Sequence, residues 1–335
     1  MKIVELVLRN GTHRAFALFV ALAAAFVAVA LSAGLPLSGE TGFSVLQNFA
    51  TFGPVALGLG LTMLVREFDI SIAGMFGLGG CVAVLVGASG PALGVAAAIA
   101  VGLFGGVAQG VFMTRLRLGS VAVTLGGLLT FGGLAYVLTG NRSVPFGNLE
   151  IALAMNAPIL QIFSLRSLVA WALFIVAAAI VAFTRVGRDM IATGSDRQAS
   201  ALAGVSTDSI IIGAFAASGT LSALAGALLS YSLSAASPAG LSDVSVPAVA
   251  AVILGGASLS GGTGRPLGTA AGVLILCLLR TGLTALGVSP YVHEVVTGAI
   301  LLAVAIADGP DLIRRVSDAT RMPSIRLRAS GPRSS

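Results

Sequence analysis

The chain has 335 residues, of which 56% are hydrophobic and only 10% charged, with a formal net charge of +6. An ordinary soluble domain carries about 25% charged residues, so this composition excludes a water-soluble globule. Apolar runs of 18 or more residues, rich in Ala, Leu and Gly, also exclude a β-barrel built from alternating segments of about 10 residues. What remains is an all-α integral membrane protein. It comprises one polytopic helix bundle over residues 1–307 and a basic, Ser- and Pro-rich tail over 308–335.

In chain order the apolar runs predict about ten spans. The first, Ala15–Ala33, follows a basic N-terminal segment and is long enough to be a retained helix rather than a cleaved signal. Asn48–Val65, Ile70–Ala88, Pro91–Thr114 and Leu118–Thr139 come next. Between the second and third of these runs the motif Phe68-Asp69-Ile70-Ser71 offers Asp69 and Ser71 as a cap on the third span. Arg66, Glu67 and Asp69 together also read as an interfacial ion cluster. Gly102, Gly106 and Gly110 recur every four residues in the fourth span, a stripe that lets helix backbones approach closely.

Ser167–Thr184 and Ser209–Leu233 bracket the long polar segment Arg185–Asp208. Here Asp196 is placed to cap a short helix Arg197–Ala203, which Gly204 would terminate. Val244–Leu259 leads into a segment with seven glycines between Gly255 and Gly272. Irregular backbone at membrane depth survives only where it packs on protein or lines a cavity, so this stretch reads as pore-associated. Its candidate residues are Gly255, Gly256, Ser258, Gly261, Gly262 and Gly264. Pro266–Leu286 and Val292–Ala307 complete the set. They carry Arg280 and Glu294 at similar depth on either side of a short turn, and intramembrane charges usually pair, so a salt bridge or a shared pore-facing position is expected.

Basic residues fix the expected orientation. With both termini cytoplasmic, only Arg142 and Arg166 of the 19 Lys and Arg residues fall outside, with Arg280 inside a span. The positive charge therefore reads as attraction to anionic lipid headgroups, not nucleic acid. Cys81 and Cys277 lie far apart in apolar runs and suggest neither a disulfide nor a metal site. The glycine run 261–264 lacks the Lys-Ser or Lys-Thr of a phosphate-binding loop, and no catalytic constellation is present, so no enzyme activity and no cofactor is expected on this chain.

Taken together, Phe68-Asp69-Ile70-Ser71, the loop Gly194-Ser195-Asp196-Arg197-Gln198-Ala199 with Leu202-Ala203-Gly204, and Leu254–Gly264 resemble the permease subunits of bacterial ABC importers for monosaccharides. The turn Leu286–Ser289 adds to the likeness. That resemblance implies a fold like the type II ABC importers in the bacterial inner membrane, with two permease copies, identical or paired with a sibling, forming the pore. It implies a cytoplasmic ATPase, carrying ATP and Mg, docked on Gly194, Asp196, Arg197, Ala199, Leu202 and Gly204. It also implies a periplasmic solute-binding protein that supplies selectivity. Arg197 stands where the family usually has Glu, which implies an altered docking charge, and Val244–Pro247 replaces a stretch that is often acidic. Competing expectations are uptake of nucleosides, branched-chain amino acids or an autoinducer, or a proton-driven carrier centred on Glu294.

Overall fold

The computed structural model describes residues 38–240, 244–258, 261–289 and 291–302. The predicted span Ala15–Ala33 and the tail 308–335 lie outside the described residues. The order of elements is α1 (Gly39–Leu64), α2 (Ile72–Gly87), α3 (Pro91–Arg115), α4 (Ser120–Thr139), β1 (Val144–Pro145), α5 (Leu149–Asn156), α6 (Leu165–Phe183), α7 (Arg185–Ser195), α8 (Arg197–Leu202), α9 (Thr207–Ser232), β2 (Ala235–Ala236), α10 (Ser245–Leu254), α11 (Pro266–Ala285) and α12 (Tyr291–Leu302).

Six of these helices, α1, α3, α4, α6, α9 and α11, are long and apolar enough to cross a membrane. The other predicted spans among the described residues are the shorter apolar helices α2, α10 and α12. Helix α1 starts nine residues earlier than its apolar run, because Ser38 accepts the Thr41 amide at 3.4 Å and so opens the helix in polar sequence. Helix α3 begins at Pro91, whose missing amide costs nothing at that position.

Helices α1 and α9 are central, each with 72% of its most apolar window buried. Helices α3 and α4, at 22% and 17%, present most of their apolar surface outward. One side of the bundle packs α9 against α3 and α2; the other packs α1 against α11, α6 and α10. Phe49 stacks on Trp171 at 4.8 Å and tilts against Phe174, which fixes α1 on α6.

The glycine stripe of α3 faces α9. A Cβ at Gly102 would meet the Gly219 carbonyl, one at Gly106 the Phe215 carbonyl, and one at Gly110 the Ile212 Cα at 2.7 Å. Gly268 and Gly272 likewise press α11 onto Gly255 and Ala251 of α10. Both stripes are therefore packing devices within this chain.

The turns Val65–Ser71 and Leu116–Gly119, the hairpin of α7 and α8, and residues 255–258 and 261–265 meet at one end of the bundle, where Arg66, Arg115, Arg117, Arg185, Arg188, Arg197 and Arg265 also lie. The opposite end is covered by α5 and by the antiparallel β1–β2 ladder, with Val144 paired to Ala236. From β2 the chain turns back into the bundle. A Cβ at Gly77, well inside α2, would meet the Pro238 carbonyl at 3.1 Å and the Gly240 amide at 3.5 Å. Helix α10 then runs on to the arginine-rich end. Among the described residues, irregular backbone thus enters the bundle around Pro238–Gly240. The glycine-rich segment sits at the arginine-rich end, because α10 is only ten residues long and spans about 15 Å.

Candidate functional site

At the arginine-rich end, Thr184 closes α6 and opens α7. Its hydroxyl donates to the Ile180 carbonyl at 2.6 Å and accepts the Gly187 amide at 3.3 Å. Helix α7 is amphipathic and buries Met190, Thr193 and Gly194 against the bundle. Asp196 then breaks the chain and caps α8, accepting the Gln198 and Ala199 amides, each at 2.9 Å. Gly204, at φ +86°, ends the turn. Its amide donates to the Ala201 carbonyl and that of Val205 to the Ser200 carbonyl, each at 3.0 Å. This is the paired closure that left-handed glycine makes at a helix C-terminus. The result is a short, rigidly closed helix with Ala199 exposed and Leu202 91% exposed.

Arg197 does not project freely from α8. One arm of its guanidinium reaches Asp208 at 2.9 Å, on the first turn of α9, and the other lies 3.7 Å from Glu67. Glu67 sits on the turn between α1 and α2, with its side chain 18% exposed. Burial raises its carboxyl above the usual carboxylate range, while Ser120, Arg197 and Arg66 pull it down. Of the expected cluster Arg66, Glu67 and Asp69, the first two stay electrostatically coupled and Asp69 leaves it.

Asp69 turns inward and is 2% exposed. Its Oδ1 accepts the Ser71 amide at 2.9 Å and the Ser71 hydroxyl at 2.6 Å, and its Oδ2 accepts the Ser218 hydroxyl from α9 at 2.7 Å. Gln109 of α3 donates to the Ser71 hydroxyl at 2.9 Å. Burial raises the Asp69 carboxyl above its ordinary value against the lowering pull of Ser71 and Ser218. The cap expected from Asp69 and Ser71 is thus half present. Asp69 takes the Ser71 amide, but the Ser71 hydroxyl makes no cap bond to α2 and instead joins a network linking α2, α3 and α9.

The glycine-rich segment wedges between the ends of α1 and α7. The Gly262 amide donates to the Leu64 carbonyl at 3.1 Å. A Cβ on Gly194 would meet the same carbonyl, and one on Gly262 would meet Ser195. Gly261 and Gly262 have φ of +78° and +69° and also abut Arg66 and Ser195, so those positions favour glycine twice over, while Gly256 at +84° favours it by conformation. Gly264 packs beside Ala257, and Ser258 accepts the Gly261 amide at 3.1 Å through its carbonyl. A cavity of about 10 Å³ beside Gly264, between Leu57 and Thr269, admits about one water and no sugar.

Arg280 and Glu294 do not form the expected salt bridge among the described residues. The guanidinium of Arg280 lies 4.8 Å from the Phe52 ring centroid, a cation–π contact, while Glu294 is exposed on α12.

Sequence reasoning missed Arg166, which it placed in an outer loop. The structure buries it to 4% exposure at the start of α6. Its Nη1 donates to Ser232 Oγ at 2.9 Å and Gln47 Oε1 at 3.3 Å, and its Nη2 donates to Thr51 Oγ1 at 2.7 Å. Asn156 of α5 completes the knot, accepting from Ser232 Oγ at 2.7 Å. No sequence signal pointed there, because the partners come from three separate helices.

Comparison with known proteins agrees with this architecture. The family described as branched-chain amino acid transport system / permease component matches residues 42–305. The ribose import permease protein RbsC of Escherichia coli is 34% identical over 279 residues, covering 79% of this chain and 84% of that protein. The autoinducer 2 import system permease protein LsrC of Yersinia pseudotuberculosis is 32% identical, covering 76% of this chain and 73% of the relative. A probable ABC transporter permease protein of Sinorhizobium fredii is 32% identical, covering 89% and 91%. No solved structure matches. The matched region takes in α1 through α12, the α7–α8 hairpin and the glycine wedge together, and the chain belongs to the branched-chain amino acid transport system / permease component family.

Proposed function

We propose that this chain is the membrane-spanning subunit of an ATP-driven importer and carries a monosaccharide or related polyol across the bacterial inner membrane. The observation that carries the reading is the match to sugar-type permeases over most of both chains, with RbsC and LsrC among the relatives. The arginine-rich end then faces the cytoplasm, both termini lie on that side, and the chain crosses the bilayer about ten times.

ATP and Mg belong to a separate ATPase subunit that docks on α7 and α8. The exposed Leu202 and Ala199 give it an apolar foothold on a closed, capped helix. A periplasmic binding protein delivers the solute at the opposite end. A second permease copy, identical or a sibling, completes the pathway.

The test is uptake into proteoliposomes that hold this chain with its ATPase inside and its binding protein outside. The expected result is ATP-dependent accumulation of a labelled pentose or hexose. Accumulation of leucine or a nucleoside instead would contradict the substrate class. Accumulation without ATP would contradict the importer.

A further inference from the structure

Helix α8 is tied to the bundle by Arg197. Exposed ion pairs add little to stability, so the value of this one lies in what it connects. The Arg197 side chain is 45% exposed, and it bridges Asp208 on α9 to Glu67 on the Val65–Ser71 turn. That turn is held firmly at its own start. Arg66, at φ +66°, donates its amide to the Met63 carbonyl at 3.0 Å, and the Glu67 amide donates to the Thr62 carbonyl at 3.0 Å.

Two residues after Glu67, Asp69 binds Ser218 on α9 and Ser71 at the head of α2, and Ser71 meets Gln109 on α3. The turn therefore has one carboxylate facing α8 and the next facing the bundle interior. A few ångströms of backbone separate a surface tie from a buried network that joins three helices.

We infer that Arg197 is a positioning residue for energy coupling, holding α8 to the Val65–Ser71 turn so that displacement of α8 reaches α2, α3 and α9. The inference rests on the importer reading above. It departs from the sequence-based expectation that Arg197 presents its charge to the ATPase. A guanidinium whose two arms are already engaged by Glu67 and Asp208 has its charge neutralised within this chain.

The test uses the assembled permease–ATPase complex with its binding protein in proteoliposomes, and reads ATPase retention, hydrolysis rate and solute moved per ATP. Failure of the wild-type chain to retain an ATPase would sink the importer reading itself, and this inference with it. With wild-type coupling established, Arg197→Ala is expected to keep the ATPase bound and hydrolysing. Solute moved per ATP should fall roughly two- to thirtyfold, the range for changes along a coupling network. Glu67→Gln should reproduce that loss. Arg197→Lys should lie between, because one ammonium cannot hold two carboxylates in the fork geometry. The exchange Arg197→Glu with Glu67→Arg, made with Asp208→Asn to remove the new repulsion, should restore part of the ratio. A merely structural role would not show that restoration. Loss of the ATPase in Arg197→Ala with a wild-type Glu67→Gln would overturn the inference and make Arg197 a docking charge. An unchanged ratio in Arg197→Ala would overturn it as well.

Discussion

Gly226→Leu is expected to abolish recovery of folded protein, while Gly213→Leu on the same helix leaves it intact. Both glycines lie in α9, and both substitutions place the same side chain on the same helix. At Gly213 a Cβ would meet nothing within 4 Å. At Gly226 it would land on the Phe76 carbonyl of α2, with the Gly80 amide 3.2 Å away. Those atoms are backbone of the neighbouring helix and cannot swing aside as a side chain does. Helix α9 packs on α3, α2 and α1, so separating α2 from α9 opens the centre of the bundle. Overpacking by even a few methyl groups costs about 1–3 kcal/mol, and a leucine driven into backbone exceeds that range. In membranes the loss is sharper, because close backbone approach is itself a main source of helix association. Size-exclusion profiles of the detergent-solubilised chain should show a sharp peak for Gly213→Leu and only aggregate for Gly226→Leu. A sharp peak for both would mean that α2 and α9 do not meet at Gly226.

At Asp69 the expectation turns on shape more than charge. Asp69→Leu leaves two donors without their acceptor in a buried site, the Ser71 amide and the Ser218 hydroxyl, and leaves the Ser71 hydroxyl with only the longer bond to Gln109 Oε1 at 3.2 Å. Each orphaned donor costs about 1–3 kcal/mol, so the loss is severe and α2 loses its anchor to α9. Asp69→Asn should be far milder. Its carbonyl oxygen can keep both Ser71 bonds, and its amide can donate to Ser218 Oγ, which accepts as readily as it donates. Burial already raises the Asp69 carboxyl above its ordinary value, so a neutral group suits the site electrostatically. Thermal melting of the purified chain should rank wild type and Asp69→Asn close together and Asp69→Leu well below. Equal damage from both substitutions would show that the negative charge itself is required.

How much of this was legible in the sequence depended on how local each feature is. Helix α3 was read almost to the residue, because a proline opens it and two arginines, Arg115 and Arg117, mark its end. The α8 helix was legible because Asp196 and Gly204 are short-range signals that bracket seven residues, six of them the helix. Where hydropathy alone decided, the edges drifted. Helix α1 begins in polar sequence at Gly39, and α10 stops at Leu254, five residues before the apolar reading ended it. Helix α5 was not read at all, since eight residues, though mostly apolar, are too few to give a span signal.

The long-range chemistry was the least visible. Glu67 was grouped with Arg66 because they adjoin, but its ion-pair partner is Arg197, 130 positions away in the chain. Arg166 gave no sign of burial, because Gln47, Thr51 and Ser232 converge on it only in three dimensions. The glycine-rich segment was read from its composition as pore-associated backbone at membrane depth, whereas the structure places it at the arginine-rich end. What it approaches, the Leu64 carbonyl and the end of α7, is a matter of tertiary packing.

The measurement that bears most directly on the account is photocrosslinking from position 202 in native membranes. Leu202 is 91% exposed on a capped helix at the arginine-rich end, so a photoreactive side chain there reports what covers α8. The expected result is a single major adduct, identified by mass spectrometry as a chain carrying a phosphate-binding loop, with the crosslink lost when the probe is moved to exposed Leu160 near the opposite end. Adducts to lipid alone, or to a protein without a nucleotide site, would contradict the assignment of α7 and α8 as the place where ATP hydrolysis reaches this permease.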